Sequence, residues 1–197
     1  SGYTYTGSEI ALKASDFKLT DTLSGEVLDS SKYIDLANSA NAKATDAGEY
    51  EVTIKTKDLV NYVTGAQDVK AVNKWKIEKA DLSKCTVFLG EISEQATPIL
   101  ASDLKNIAVS DGTNSLYDNT ISASDFVIGN VQANTGSVGT YTATVQTKAD
   151  SKNFTGTTTT ATFRVVRNAL SNAEFEGTTS NPNYAKADEN YTGEAIT

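Results

Sequence analysis

Residues 46–65 read DAGEYEVTIKTKDLVNYVTG, and residues 137–156 read SVGTYTATVQTKADSKNFTG. At this fixed offset of 91 positions, Gly48, Tyr50, Thr53, Thr56, Lys57, Thr64 and Gly65 meet Gly139, Tyr141, Thr144, Thr147, Lys148, Thr155 and Gly156. The match extends in both directions and keeps its order. Downstream, WKIEKADLS (75–83) meets FRVVRNALS (163–171); upstream, ASDFK (14–18) meets ASDLK (101–105). Between them, SSKYIDL (30–36) stands where SASDFVI (122–128) does. A unit of about 90 residues exceeds the 20–50 of a solenoid repeat, so the chain reads as tandem small domains.

Each copy alternates with period two. Tyr50, Val52 and Ile54 fall on one side, with Glu49, Glu51, Thr53 and Lys55 on the other. In the second copy Tyr141, Ala143 and Val145 alternate with Thr140, Thr142, Thr144 and Gln146. That is a strand with one dry face. The closing strand repeats the pattern, with Trp75 and Ile77 in and Lys74, Lys76 and Glu78 out, then Phe163 and Val165 in and Arg164 out. Gly48 and Gly139 stand before the strand, where a turn with permissive backbone angles is expected. The Ala-rich stretch Asp35–Gly48 reads as a loop. The segment SDGTNS (110–115) reads as a tight turn. Short strands punctuated in this way predict an all-β fold of two tandem immunoglobulin-like sandwiches, with β-grasp repeats as the alternative.

Composition narrows the possible functions. A net charge of −8 argues against nucleic acid, which needs clustered Lys and Arg. It also leaves no basic patch for anionic lipid, and no run approaches the roughly 20 apolar residues of a membrane span. Histidine is absent, so Ser-His and Cys-His catalysis and His-containing zinc sites are excluded. The lone Cys85 cannot form an intrachain disulfide; it reads as a buried apolar residue of the opening strand with Val87 and Leu89, and Ala173 takes its place further on. The same parity turns Lys84 to solvent and argues against an isopeptide bond to Asn168. No pair of carboxylates is placed for acid–base work, so the expectation is no enzyme, no cofactor and no metal. The oxygen-rich SDGTNSLYDN (110–119) lacks the spacing and closing Glu of an EF-hand loop and reads as the turn alone.

The repeat resembles the tandem Ig-like modules of bacterial cell-surface proteins, often labelled MBG-type. Tyr-x-Gly followed by a polar and an apolar residue carries the resemblance, in YTGSEI (5–10) and YTGEAI (191–196). So do Gly-x-Tyr opening a strand, and Asn-aromatic with Thr-Gly in NYVTG (61–65) and NFTG (153–156). The second unit departs from it, because GEISEQATPIL (90–100) has no Tyr-x-Gly. The resemblance implies an extracellular structural or adhesive segment of a wall-attached or secreted protein, whose partners are the neighbouring repeats of its own chain. It carries over no catalytic residues.

The alternative is a module that binds a glycan or a host protein. Aromatic faces suit sugar rings, and Tyr3, Tyr5, Tyr33, Tyr62, Tyr117, Tyr184 and Tyr191 are candidates. Tyr117, in an insert of the second unit, is the best placed. The expected domains are 1–79, a first repeat without its opening strand; 80–168, a second repeat; and 169–197, the opening of a third. No Gly/Ser-rich or Pro-rich stretch separates the first two, so they are expected end to end as a semi-rigid rod. A surplus opening segment and an opening deficit together predict head-to-tail association by strand addition.

Overall fold

The computed structural model describes residues 2–21, 23–57 and 74–167, and the backbone of 68–70. Asn61, Tyr62, Thr64, Gly65, Asn168, Tyr184, Tyr191 and the opening segment expected over 169–197 lie outside the described residues. Among the described residues the chain is mostly β, with one short α-helix, several small sheets and one curled six-stranded sheet.

The first repeat is assembled from β1 (Gly2–Thr4), β2 (Ile10–Ala11), β3 (Leu19–Thr20), β4 (Val27–Leu28), α1 (Ser30–Tyr33), β5 (Ile34–Ala40), β6 (Lys43–Ala44), β7 (Gly48–Tyr50), β8 (Thr53–Thr56), β9 (Asp68–Lys70) and β10 (Trp75–Glu78). β1 runs parallel to β10, and β10 antiparallel to β7; β5, β8 and β9 form a second small sheet. The second repeat uses longer strands: β11 (Ala80–Asp81), β12 (Thr86–Ser93), β13 (Asn106–Ser110), β14 (Ser115–Thr120), β15 (Phe126–Val131), β16 (Gly139–Thr147), β17 (Phe154–Thr155) and β18 (Thr157–Val166). Six of these form one sheet in the order β14-β13-β12-β18-β16-β15.

The expected alternation holds where it was strongest. Trp75, Ile77, Phe163 and Val165 are all at most 5% exposed, while Lys74, Lys76, Glu78 and Arg164 face solvent. Register agrees between the copies: Trp75 pairs with Tyr50 and Ile77 with Gly48, as Phe163 pairs with Tyr141 and Val165 with Gly139. The pairing does not separate the second repeat into two clearly opposed sheets. β12 joins both halves, pairing antiparallel with β13 over Thr86–Phe88 and parallel with β18 over Glu91–Ser93. Its register shifts at Gly90, whose φ of +85° supplies the bend.

Three local expectations need correction. The stretch Asp35–Gly48 is not a loop. It carries β5 and β6, because pairing of Ile34 and Asp35 with Thr56 and Lys55 overrides the weak strand preference of Ala, Asn and Asp. Asp35 takes up the irregularity by accepting from the amide and side chain of Asn38. Gly48 and Gly139 have no positive φ. The tyrosine two residues on folds back over each of them: a Cβ on Gly139 would lie a tight 3.2 Å from the Tyr141 ring, whereas one on Gly48, 3.4 Å from the Tyr50 hydroxyl, would make an ordinary contact. Cys85 packs against the core but is not fully buried, and it precedes β12 instead of lying within it. It caps the 3-10 turn Leu82–Lys84 and is half-buried, its Sγ donating to the Asp81 carbonyl at 3.3 Å. The strand begins only at Thr86, because the Asp81 side chain caps this turn through the Ser83 amide.

The turn expected at 110–115 is present. Asp111 accepts from the amides of Thr113 and Asn114 and from the Asn114 side chain, which occupies both carboxylate oxygens and closes the β13–β14 hairpin.

Candidate functional site: the junction between the repeats

Residues 1–166 form one compact unit, so the two repeats meet across a defined surface. The chain crosses from β10 through Lys79 into β11 with no spare residue. The Ala80 amide donates to the Asn153 carbonyl at 2.9 Å, and β11 then pairs parallel with β17. The first residue of the second repeat is thus hydrogen-bonded to the loop that carries the Asn-aromatic motif.

That loop is held from beneath. The Ser151 hydroxyl, buried, donates to Asp125 and accepts from the Phe154 amide, and the Lys148 ammonium donates to the Ser124 carbonyl. So fixed, the loop projects Asn153 into the first repeat. Its Oδ1 accepts from the Ala47 amide at 2.8 Å, and its Nδ2 donates to Asp46 Oδ1 at 2.9 Å. The other Asp46 oxygen receives the Lys152 ammonium at 2.7 Å. Lys79 closes the loop from the other side by donating to the Ser151 carbonyl at 2.7 Å. Lys152 first, then Asn153, holds the Asp46 carboxyl below its ordinary range, and Asp46 raises the Lys152 ammonium in turn. A charged bond and a two-point amide contact fix an orientation better than either would alone.

An aromatic seam lies beside this clasp. Tyr5 is 8% exposed; its ring meets Phe154 edge-on at 5.3 Å, and its hydroxyl donates to the Leu116 carbonyl at 3.4 Å. Phe154 packs on Phe126 at 4.8 Å, and Tyr117 lies against both. Two residues beyond Tyr5, Gly7 has φ +76°, and a Cβ there would fall 2.6 Å from the Ser115 carbonyl. The first Tyr-x-Gly therefore contacts the next repeat, tyrosine by packing and glycine by close approach.

Tyr117 sits at the rim of this seam. It is half-buried, its hydroxyl donates to the Ala123 carbonyl at 3.2 Å, and burial raises its pKa, with the Asp125 charge adding to it. Of the other candidate tyrosines, Tyr3 packs edge-on against Trp75 at 5.9 Å and donates to Asp16 at 2.7 Å. Tyr33 is half-buried at the end of α1. The structure thus brings Tyr5 and Tyr117 together and leaves Tyr3 and Tyr33 within the first repeat. An open cleft of about 340 Å³ flanks the junction, between Ala47–Glu49, Lys76–Lys79 and Thr155. Its charges are already engaged: Lys76 pairs with Glu78 at 2.8 Å, and Lys79 holds Ser151. Among the described residues no group of His, Cys, Asp or Glu could hold a metal ion.

Sequence reading singled out Asn153 and Tyr5 as motif residues without giving them this role. The signal present in the sequence was the Asn-aromatic pair itself, which occurs at 61–62 and again at 153–154. No family model matches the chain, and no curated protein or solved structure matches it.

Proposed function

We propose that this chain is a non-catalytic spacer segment of a repetitive bacterial surface protein, built from Ig-like repeats and holding other parts of that protein at a set distance and orientation outside the cell. The observation that carries this reading is the Asn153 clasp. A two-point amide, an ion pair and a buried tyrosine spend the most specific contacts of the molecule on fixing one repeat against the next.

The Ig-like reading draws support from a detail shared by both repeats. Tyr50 donates to the carbonyl of Asp46 at 2.6 Å, and Tyr141 to that of Ser137 at 3.0 Å, each four residues upstream. A tyrosine hydroxyl returning to the backbone just before a strand is a corner typical of Greek-key sandwiches.

Spin labels on Lys32→Cys and Asn130→Cys, in a Cys85→Ala background, test the spacer reading. Both sites are exposed, one in each repeat. The expected result is one narrow distance distribution that broadens in Asn153→Ala. A broad distribution in the parent would mean that the junction does not set orientation. A glycan-array hit lost on Tyr117→Ala would instead move the chain to the binding class.

A further inference from the structure

Each repeat holds an early strand parallel to its closing strand. β1 runs parallel to β10, and β12 runs parallel to β18. In the second repeat Glu91, Ile92 and Ser93 lie opposite Arg164, Val165 and Val166 without a break. The ladder ends on a bond from the Glu94 amide to the Val166 carbonyl at 2.8 Å. A second parallel pair stands at the entry. β11 runs beside β17, and the Ala80 amide donates to the Asn153 carbonyl at 2.9 Å. β17 leads through Gly156 alone into β18, so both ladders tie the start of this repeat to its end.

Strand direction decides how the repeat meets a pull. The chain enters through Lys79 and leaves through Arg167, so tension along it draws β12 from its N-terminal end and β18 from its C-terminal end. Partners that run the same way then slide past each other, and the evenly spaced bonds of the ladder are loaded together. In an antiparallel pair gripped at its open end the bonds open one at a time. The β12–β18 ladder is also keyed against sliding on both faces of the sheet. On the outer face the register partners Glu91 and Arg164 form an ion pair at 2.9 Å. On the inner face Val165 is 2% exposed, and Ile92 opposite it packs against the core. β13 and β14, which pair antiparallel, lie off this path.

We propose that the second repeat bears tension as well as setting distance: the β11–β17 and β12–β18 ladders form a shear clamp that holds until several bonds fail together. That tension reaches the clamp rests on the spacer reading; the clamp itself rests on strand direction. Resistance to force is governed by the rate of unfolding and not by equilibrium stability, so the two respond to different bonds. The first repeat carries a shorter form of the clamp. There β1 lies parallel to β10, and the Tyr5 amide bonds the Glu78 carbonyl at 2.9 Å. Lys79 alone separates β10 from β11, so the exit of the first clamp is the entry of the second.

Single-molecule pulling of the full chain along two directions tests this. Handles are attached to cysteines introduced at exposed positions in a Cys85→Ala background. Glu78→Cys with Arg167→Cys loads the ladders in shear. Val138→Cys with Arg167→Cys grips the open end of the β16–β18 pair and unzips it. The shear direction is expected to unfold at a severalfold higher force. It should release about 30 nm of chain, at roughly 3.6 Å per residue over residues 80–166. Glu94→Pro removes the last ladder bond and should lower that force. Asp111→Ala loosens the β13–β14 turn, off the path, and should lower the denaturant midpoint while leaving the force unchanged. Equal forces in the two directions overturn the proposal, as does a force that falls in Asp111→Ala as far as in Glu94→Pro. If Glu94→Pro fails to fold, Arg164→Ala takes its place by removing the ion pair across the same ladder. Equal forces with an intact spin-label distribution would leave the spacer reading standing.

Discussion

Trp75 is the side chain on which the first repeat depends most. It is 5% exposed, Tyr3 and Tyr50 pack on it, and its indole N–H donates to the Asn41 carbonyl at 2.9 Å. Trp75→Ala removes the packing and strands that carbonyl, and is expected to cost about 3–5 kcal/mol in a denaturant titration. The second repeat, built on Phe163, should keep its own transition. Tyr3 adds an alkaline signature. The bond it donates to Asp16, with burial and the Asp16 charge adding to it, pushes its pKa up to about 12 from 10.0. A group raised in the folded state stabilises fully below its unfolded value and loses that contribution as pH rises toward the folded one. The first repeat should therefore weaken between about pH 10 and 12, and less so in Tyr3→Phe, when melting is followed against pH. Cys85 reacts through its thiolate, and burial first, then Asp111 and Asp81, raises its pKa. Half-burial notwithstanding, native labelling at neutral pH should be slow and should accelerate in denaturant.

At the scale of elements, the informative segments are those that leave one repeat to touch the other. The turn after β1 is shaped by Gly7, which has φ +76° and no room for a Cβ beside Ser115. Gly7→Ala should cost at least about 1 kcal/mol of stability and broaden the distance distribution across the junction; an unchanged distribution would mean that the close approach is incidental. The second repeat has Glu94 where the first has Tyr5, since the Glu94 amide bonds the Val166 carbonyl as that of Tyr5 bonds Glu78. GEISEQATPIL thus keeps the backbone pairing of the first repeat and places Glu94 where Tyr5 stands.

Across the whole molecule, the clasp couples orientation to ionisation. Asp46 is the anion that Lys152 and Asn153 share, and its depressed pKa means that the contact contributes fully above the ordinary carboxyl value of 3.8 and is lost as pH falls through the folded value. Acidification below that range should broaden the inter-repeat distance before either repeat melts. Asp46→Asn should reproduce the effect at neutral pH in part, since it keeps a polar oxygen and loses the charge. At high salt the ion pair, with both partners substantially exposed, should weaken while the Asn153 amide contact persists. Asn153→Ala is therefore expected to loosen the junction more than salt does.

The alternation of Trp75-Lys76-Ile77-Glu78 and Phe163-Arg164-Val165 settled by itself that these are strands with one dry face. The offset matches show one sequence pattern written twice. Both are local or periodic properties, and side-chain parity in a strand leaves little choice once the apolar residues alternate. The tertiary structure alone decided the rest. Asp35–Gly48 pairs because β8 lies beside it, against the preference of its residues. Gly139 sits tightly under a tyrosine ring that folds back over it, which no torsional argument from sequence foretells. Cys85 is only half-buried against the core because an Asp-capped turn delays the strand. Asn153 and Asp46, 107 residues apart, become partners only when the junction forms. A hydrogen bond at that separation carries no sequence periodicity: its geometry exists only after two folded surfaces have been brought together, and there the specificity of this molecule resides.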